Sequence, residues 1–175
     1  MTEIRTPRLL LRRWQPDDDL APLADIQADP AVMRRIGDGA PRSLDGTAED
    51  IERWEDEWDD EGFGVFAVEL LGSGELAGAV GLYVPEAPPE VAGQVAIQWR
   101  LGRQFWGQGY ASEAAQATLE FALQDRGVDR VVAVADAGDA SSAKVLHKLG
   151  MERLDGGSED DGPRVYAIDL TQFQA

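Results

Sequence analysis

Gly107 and Gly109 stand between an apolar, alternating run and an amphipathic stretch, a spacing that suits a turn gripping an anion. Glycine has no Cβ, so backbone at both positions can approach a ligand closely or take positive φ. The first N–H groups of a following helix have no internal acceptor, and the helix dipole adds to their attraction for phosphate. A dinucleotide fingerprint would need a third glycine near Ser112, and a Walker loop would need Lys after Gly109 where Tyr110 stands. The second chemical segment runs from Asp139 to Met151. In it Asp139 can cap a helix by accepting the N–H of Ser141 or Ser142, and Gly150 ends it. Lys144 and Lys148, the only lysines of the chain, fall one turn apart on that helix.

These segments need elements to hold them. After Gly109, Ala111, Ala114, Ala115, Thr118, Leu119 and Ala122 form a small or apolar helical face, and Gly127 stops the helix. Before Gly107, Val91 to Leu101 reads as a strand with Val95, Ile97, Trp99 and Leu101 on one face and Ala96, Gln98 and Arg100 on the other. Val131 to Ala135 is continuously apolar, as in a strand buried on both faces. Further strands are expected at Leu9–Trp14, Val65–Leu70, Leu76–Val84 and Val165–Leu170, with helices at Pro16–Ala28, Ala31–Ile36 and Ala140–Leu149. Thr47 is the expected N-cap of a helix reaching Asp60, whose Ile51, Trp54 and Trp58 make an apolar stripe read as core anchors. Asp155 to Gly162 reads as a polar connection. No repeat or linker divides residues 1–175, which read as one domain.

Composition narrows the function. With no cysteine there is no disulfide framework or acyl-cysteine intermediate, and a single histidine, His147, argues against a metal site. No apolar run is long enough to span a membrane, and the N-terminus lacks the apolar stretch of a signal peptide, so a cytoplasmic location is expected. The net charge of −17 disfavours nucleic acid and anionic membranes as partners. Residues 95–153 alone escape the excess, carrying as many basic as acidic side chains. A general bias toward solubility accounts for the overall acidity equally well.

Gln104-x-x-Gly107-x-Gly109, with Trp106 before the first glycine and Tyr110-Ala111-Ser112-Glu113-Ala114 after the second, combines in this order with the Ser142-to-Met151 helix and turn. Together with Thr6-Pro7-Arg8-Leu9 and Trp99-Arg100-Leu101, the pattern resembles the GNAT superfamily of acetyl-CoA-dependent N-acetyltransferases, particularly its Rim-type, ribosomal-protein N-terminal acetyltransferase branch. The resemblance covers nearly the whole chain. It implies an α/β (α+β) fold with a mixed, V-shaped sheet flanked by helices, and an acetyl group passed directly from acetyl-CoA to an amine. It also implies that the backbone of Trp99, Arg100 and Leu101 pairs with pantetheine, and that amides from Trp106 through Gly107, Gln108, Gly109 and Tyr110 to Ala111 hold the pyrophosphate. Gln104 and Asp139 belong to the same cofactor surface, Lys144 or Lys148 meets the 3′-phosphate, and the Ser142 hydroxyl lies near the thiolate. Homodimers occur among such proteins.

The sequence also departs from the family pattern. Ala96 occupies the place where many relatives carry a glutamate base, Leu146 the place of a tyrosine acid, and Asp139 that of an asparagine. Glu69 or Asp38 is a candidate proton relay. These losses keep open a non-catalytic coenzyme A-binding domain, and the acidic Trp54/Trp58 helix keeps open a protein-interaction module. Residues 16–61, rich in Asp and Glu, are expected to shape the acceptor side and to favour a cationic amine.

Overall fold

A computed structural model describes residues 2–136, 138–154 and 163–172. Eight strands form one sheet: β1 (Ile4–Arg5), β2 (Leu9–Arg12), β3 (Val65–Leu70), β4 (Leu76–Tyr83), β5 (Ala96–Leu101), β6 (Arg130–Asp136), β7 (Glu152–Arg153) and β8 (Pro163–Asp169). Their order is β1-β2-β3-β4-β5-β6-β8-β7. Every neighbouring pair is antiparallel except β5 and β6, which run parallel and meet only at Ala96↔Val132. The amide of Val132 donates to Val95 O at 2.9 Å, and beyond that point the two strands part. The V-shaped mixed sheet expected of the family is therefore present.

Helices α1 (Pro16–Gln27), α2 (Pro30–Met33) and α3 (Leu44–Glu61) precede β3, while α4 (Tyr110–Arg126) and α5 (Ala140–Lys148) flank β6 in sequence. Period-two alternation in the strands divides the core between two faces. Leu9, Leu11, Phe66, Val68, Val80, Leu82, Ile97 and Leu101 pack with Ala114, Leu119, Phe121 and Ala122 of α4. Val65, Ala67 and Ala79 face the other way, against Leu23 of α1 and Ile51 and Trp54 of α3.

The α3 tryptophans are core residues, as their spacing suggests. Trp54 stacks on Trp14 at 5.2 Å between ring centroids, and Trp58 meets Phe66 edge-on at 4.7 Å. Trp14 and Trp58 both donate Nε1–H to Val65 O at 2.9 Å, which satisfies their only polar atoms inside an apolar layer. With both rings buried, that helix offers no tryptophan surface to a partner.

The α3 cap differs from expectation. Ser43 is the N-cap and its side chain accepts the amide of Gly46, so the helix begins before Thr47. Thr47 is instead fully buried, taking a hydrogen bond from Gln27 Nε2 at 3.0 Å. The Val91-to-Leu101 strand is also shorter than its apolar run. Val91 is buried within a turn, where its amide donates to Pro88 O and its carbonyl accepts from Gln94, and strand pairing starts at Ala96. The expected Asp155–Gly162 connection lies outside the described residues. No helix among the described residues is long and apolar enough to cross a membrane.

Candidate functional site

The glycine turn takes the backbone its residue types require. Gly107 and Gly109 have φ of 74° and 82°, and Gly109 is the N-cap of α4. A Cβ built on Gly107 would meet nothing within 4 Å, so the turn opens outward. The amide of Glu113 makes the first backbone bond of the helix, to Gly109 O at 3.1 Å. The amides from Gly107 to Ser112 have no acceptor among the described residues. Trp106 is a correction: its N–H donates to Arg103 O at 3.2 Å within the turn at Arg103–Phe105, so it is not among the available amides. Its half-exposed indole braces the turn by donating Nε1–H to Leu101 O at 2.9 Å.

Arg8 supports this loop from β2's leading edge and carries a role that spacing did not reveal. Its Nη1 donates to Gln108 O at 2.8 Å, Nε to Glu113 Oε1 at 2.7 Å, and its guanidinium lies 4.4 Å from the Tyr110 ring centre. Thr6 and the Arg8 amide also donate to Glu113 Oε2. Burial alone would lift the Glu113 carboxyl. Hydrogen bonds from Thr6 and Arg8 outweigh that and hold its pKa below the ordinary value. Gln108 Nε2 in turn donates to Gln104 O at 3.2 Å.

The strand phase decides which backbone groups face the gap. Gly102 N donates to Ala77 O at 2.9 Å, directly beyond the Leu101↔Gly78 pair, so antiparallel alternation turns the peptide groups of Arg100 toward Ala79. The expectation that Arg100 offers its backbone to pantetheine therefore fails. Trp99 and Leu101 point theirs into the gap, although Leu101 O already takes the Trp106 indole. By the same alternation, Leu170 N→Asp129 O sets the β6–β8 ladder so that Val134 presents its peptide groups from the opposite edge. A continuously apolar strand hides its phase, so the sequence alone does not mark Val134.

Asp139 caps α5, accepting the amide of Ser142 at 3.1 Å, so Ser142 sits in the first turn of a helix that starts just past the end of β6. It is half-buried, whereas Lys144, His147 and Lys148 are exposed. Arg35 reaches from beyond α2 to Gly138 O at 3.2 Å and lies 3.7 Å from Asp136, tying the two sides of the sheet together near α5.

Of the two candidate relays, Glu69 is engaged elsewhere. Glu69 lies on β3, remote from the gap by two strands, with Oε1 bound to Arg12 Nε at 3.1 Å; Arg12 also grips Asp19 through both terminal nitrogens. Asp38 is exposed and accepts the amide of Ala40. Ala96 is fully buried against Val132 and Tyr83, and Leu146 lies in the core, so neither position presents a titratable group.

On the α1/α3 side of β5 is a polar cluster assembled from distant parts of the chain. Gln27 Nε2 bonds Thr47 and Asp50, and its Oε1 accepts from Arg100 Nη1 at 2.8 Å. Burial would raise the Asp50 carboxyl, but hydrogen bonds from Arg42 and Gln27 hold it below its usual value.

A splayed parallel strand pair beside an anion-receptive helix start is a site of the acyltransferase class. The acetyltransferase (GNAT) domain model matches residues 8–152, and the chain belongs to that family as an N-acetyltransferase. The N-acetyltransferase YnaD of Bacillus subtilis strain 168 is 29% identical over 152 residues, covering 86% of this chain and 82% of that protein. A GNAT-family acetyltransferase from Bacillus anthracis superposes with a TM-score of 0.79 at 26% identity, covering 98% of this chain and all of the other. A RimL ribosomal L7/L12 alpha-N-protein acetyltransferase solved with coenzyme A shares the fold at a TM-score of 0.76 and 16% identity, covering 96% of this chain and 98% of that one.

Proposed function

We propose that this enzyme transfers acetyl from acetyl-CoA directly to a primary amine, and that residues 1–175 form one domain for that reaction. The observation that carries the reading is the run of amides from Gly107 to Ser112 without an acceptor among the described residues, beside the parallel seam of β5 and β6. Those amides suit a diphosphate at the start of a 17-residue helix. Trp99 and Val134 would pair with the pantetheine arm from the two edges of the gap, with Leu101 contributing its N–H.

When bound, acetyl-CoA supplies an activated acyl carbon, whose bond to sulfur breaks as a bond to the amine nitrogen forms, while the amine's proton becomes available to the leaving thiolate. The role assigned to Ser142, whose hydroxyl has no acceptor among the described residues, is to donate a hydrogen bond to sulfur. Asp139 retains the acceptor oxygen that caps α5, and it brings a negative charge to the cofactor surface where an asparagine would bring a donor. With no titratable side chain at positions 96 and 146, the amine enters neutral or gives its proton to water.

Several of the acids in residues 16–61 that were expected to favour a cationic amine lie at the surface or are engaged. Asp17, Asp18, Glu52, Asp56 and Asp60 point outward, and Asp50 is already engaged by Arg42 and Arg53. A chain of net charge −17 that takes an anionic cosubstrate shows how little the total decides locally.

Titration calorimetry with coenzyme A, followed by thiol release from acetyl-CoA over amino acids, peptides, polyamines and aminoglycosides, tests this. Coenzyme A binding with amine-dependent thiol release is the expected result. Absence of coenzyme A binding would refute it.

A further inference from the structure

The α1/α3 side of the gap holds a cation that the reaction above does not use. Arg100 projects from β5 with its guanidinium 5.3 Å from the Trp54 ring centre. Two of its N–H groups go to neutral oxygens, Nη1 to Gln27 Oε1 and Nη2 to Gln98 Oε1, each at 2.8 Å. The remaining three, Nε–H among them, have no acceptor among the described residues. Arg12, Arg13, Arg42 and Arg103 each contact a carboxylate directly, and Arg100 does not.

The carboxylate that acts on it electrostatically, Asp50, is taken. It binds Arg42 at 2.9 Å, Arg53 at 3.0 Å and Gln27 at 3.0 Å. Three guanidiniums thus share one inward carboxylate, and the acids that also act on Arg42 and Arg53, Asp38, Glu49 and Glu57, come from the outer side. Burial disfavours the Arg100 charge most, and repulsion from Arg53 and Arg42 adds to it, so its pKa falls to about 10 despite Asp50. It remains protonated at neutral pH. A partly buried cation without a counter-ion is a poor structural element. Fork-shaped donors of this kind match a carboxylate.

We propose that Arg100 binds a carboxylate carried by the acceptor, so that the substrate is an amine bearing a carboxylate group, an amino acid or a short peptide. This rests on the acetyl-transfer reading. Trp99, the preceding residue, lines the gap with its backbone, so an amine held at the gap and an anion held at Arg100 belong to one small molecule.

The test compares each amino acid with its own carboxamide, which keeps the amine and removes the charge, in a thiol-release assay with acetyl-CoA. Dipeptides and spermidine complete the panel. The carboxamide's amine is the less basic of the two, so it offers more neutral nucleophile, and a preference for the acid must overcome that bias. At least one acid or dipeptide is expected to exceed its amide about tenfold in kcat/KM, chiefly through KM. In Arg100→Gln that ratio should collapse toward one. Calorimetry of the preferred acid on protein saturated with coenzyme A should lose its heat in the variant, and Arg100→Lys should retain part of it.

If amides or spermidine are acetylated as well as any acid, or if the ratio survives in Arg100→Gln, the proposal is overturned. Comparison within the wild-type protein does not depend on how the variant folds. Failure to bind coenzyme A would strike the acetyl-transfer reading instead, so the two failures are separable.

Discussion

Gly107→Ala and Gly127→Ala make a matched pair that separates strain from ligand contact. Both glycines have positive φ, 74° and 64°, and an added Cβ would meet nothing within 4 Å at either. An L-residue in that conformation costs about 1–2 kcal/mol, and the smaller unfolded-state freedom of alanine returns roughly 0.4–1 kcal/mol. The net destabilisation is then about 1 kcal/mol for each variant, and Tm should fall by about 2–4 °C in a chain of this size. Only position 107 lies in the turn proposed to hold the diphosphate. A methyl group there displaces the ligand from at least one charge-assisted hydrogen bond, worth about 1.5–3 kcal/mol, which corresponds to coenzyme A binding about tenfold to a hundredfold weaker. Calorimetric titration of coenzyme A into the three proteins, beside scanning calorimetry, measures both effects. Unchanged affinity in Gly107→Ala, or an equal loss in Gly127→Ala, would refute the reasoning.

Ser142→Ala should lower turnover while leaving coenzyme A affinity nearly unchanged, read from kcat alongside a direct titration. Asp139→Ala should remove the α5 cap and cost about 1 kcal/mol in thermal unfolding; Asp139→Asn should keep the cap and tighten coenzyme A binding, because it replaces a negative charge with an amide donor. Asp19→Ala strands the buried Arg12 guanidinium with only Glu69, a loss of about 3 kcal/mol or more in denaturant unfolding. Glu113 has a folded pKa below its ordinary 4.5, so its contribution to stability is full above that value and disappears as pH falls through the lower folded one. Glu113→Gln should therefore flatten the acid limb of the stability curve.

Elements governed by local rules were legible in the sequence. Val65–Leu70 has the boundaries that its apolar run gives, and α4 begins and ends at Gly109 and Gly127 because each takes φ > 0. Asp139 capping α5 follows from residue type alone. What stayed hidden depends on phase or on distance. Arg100 differs from Trp99 in its backbone role only through the β4–β5 hydrogen-bond phase, which no single strand encodes. Thr47 has the chemistry of a cap, yet Ser43 starts the helix and Thr47 serves the buried Gln27–Asp50 cluster. That cluster draws on residues 27, 42, 47, 50, 53 and 100, so no window along the chain contains it. Glu69 shows the opposite error, since a carboxylate attractive in sequence turns out to belong to the Arg12 ion-pair network.

Beyond the single paired register of β5 and β6 the two strands part, with α4 packed on one face of the sheet and α1 and α3 on the other. A molecule lodged there from one surface leaves the other surface unobstructed. On the proposed reading the two reactants would have separate doors, and the acetylated product would leave without release of the spent thiol first.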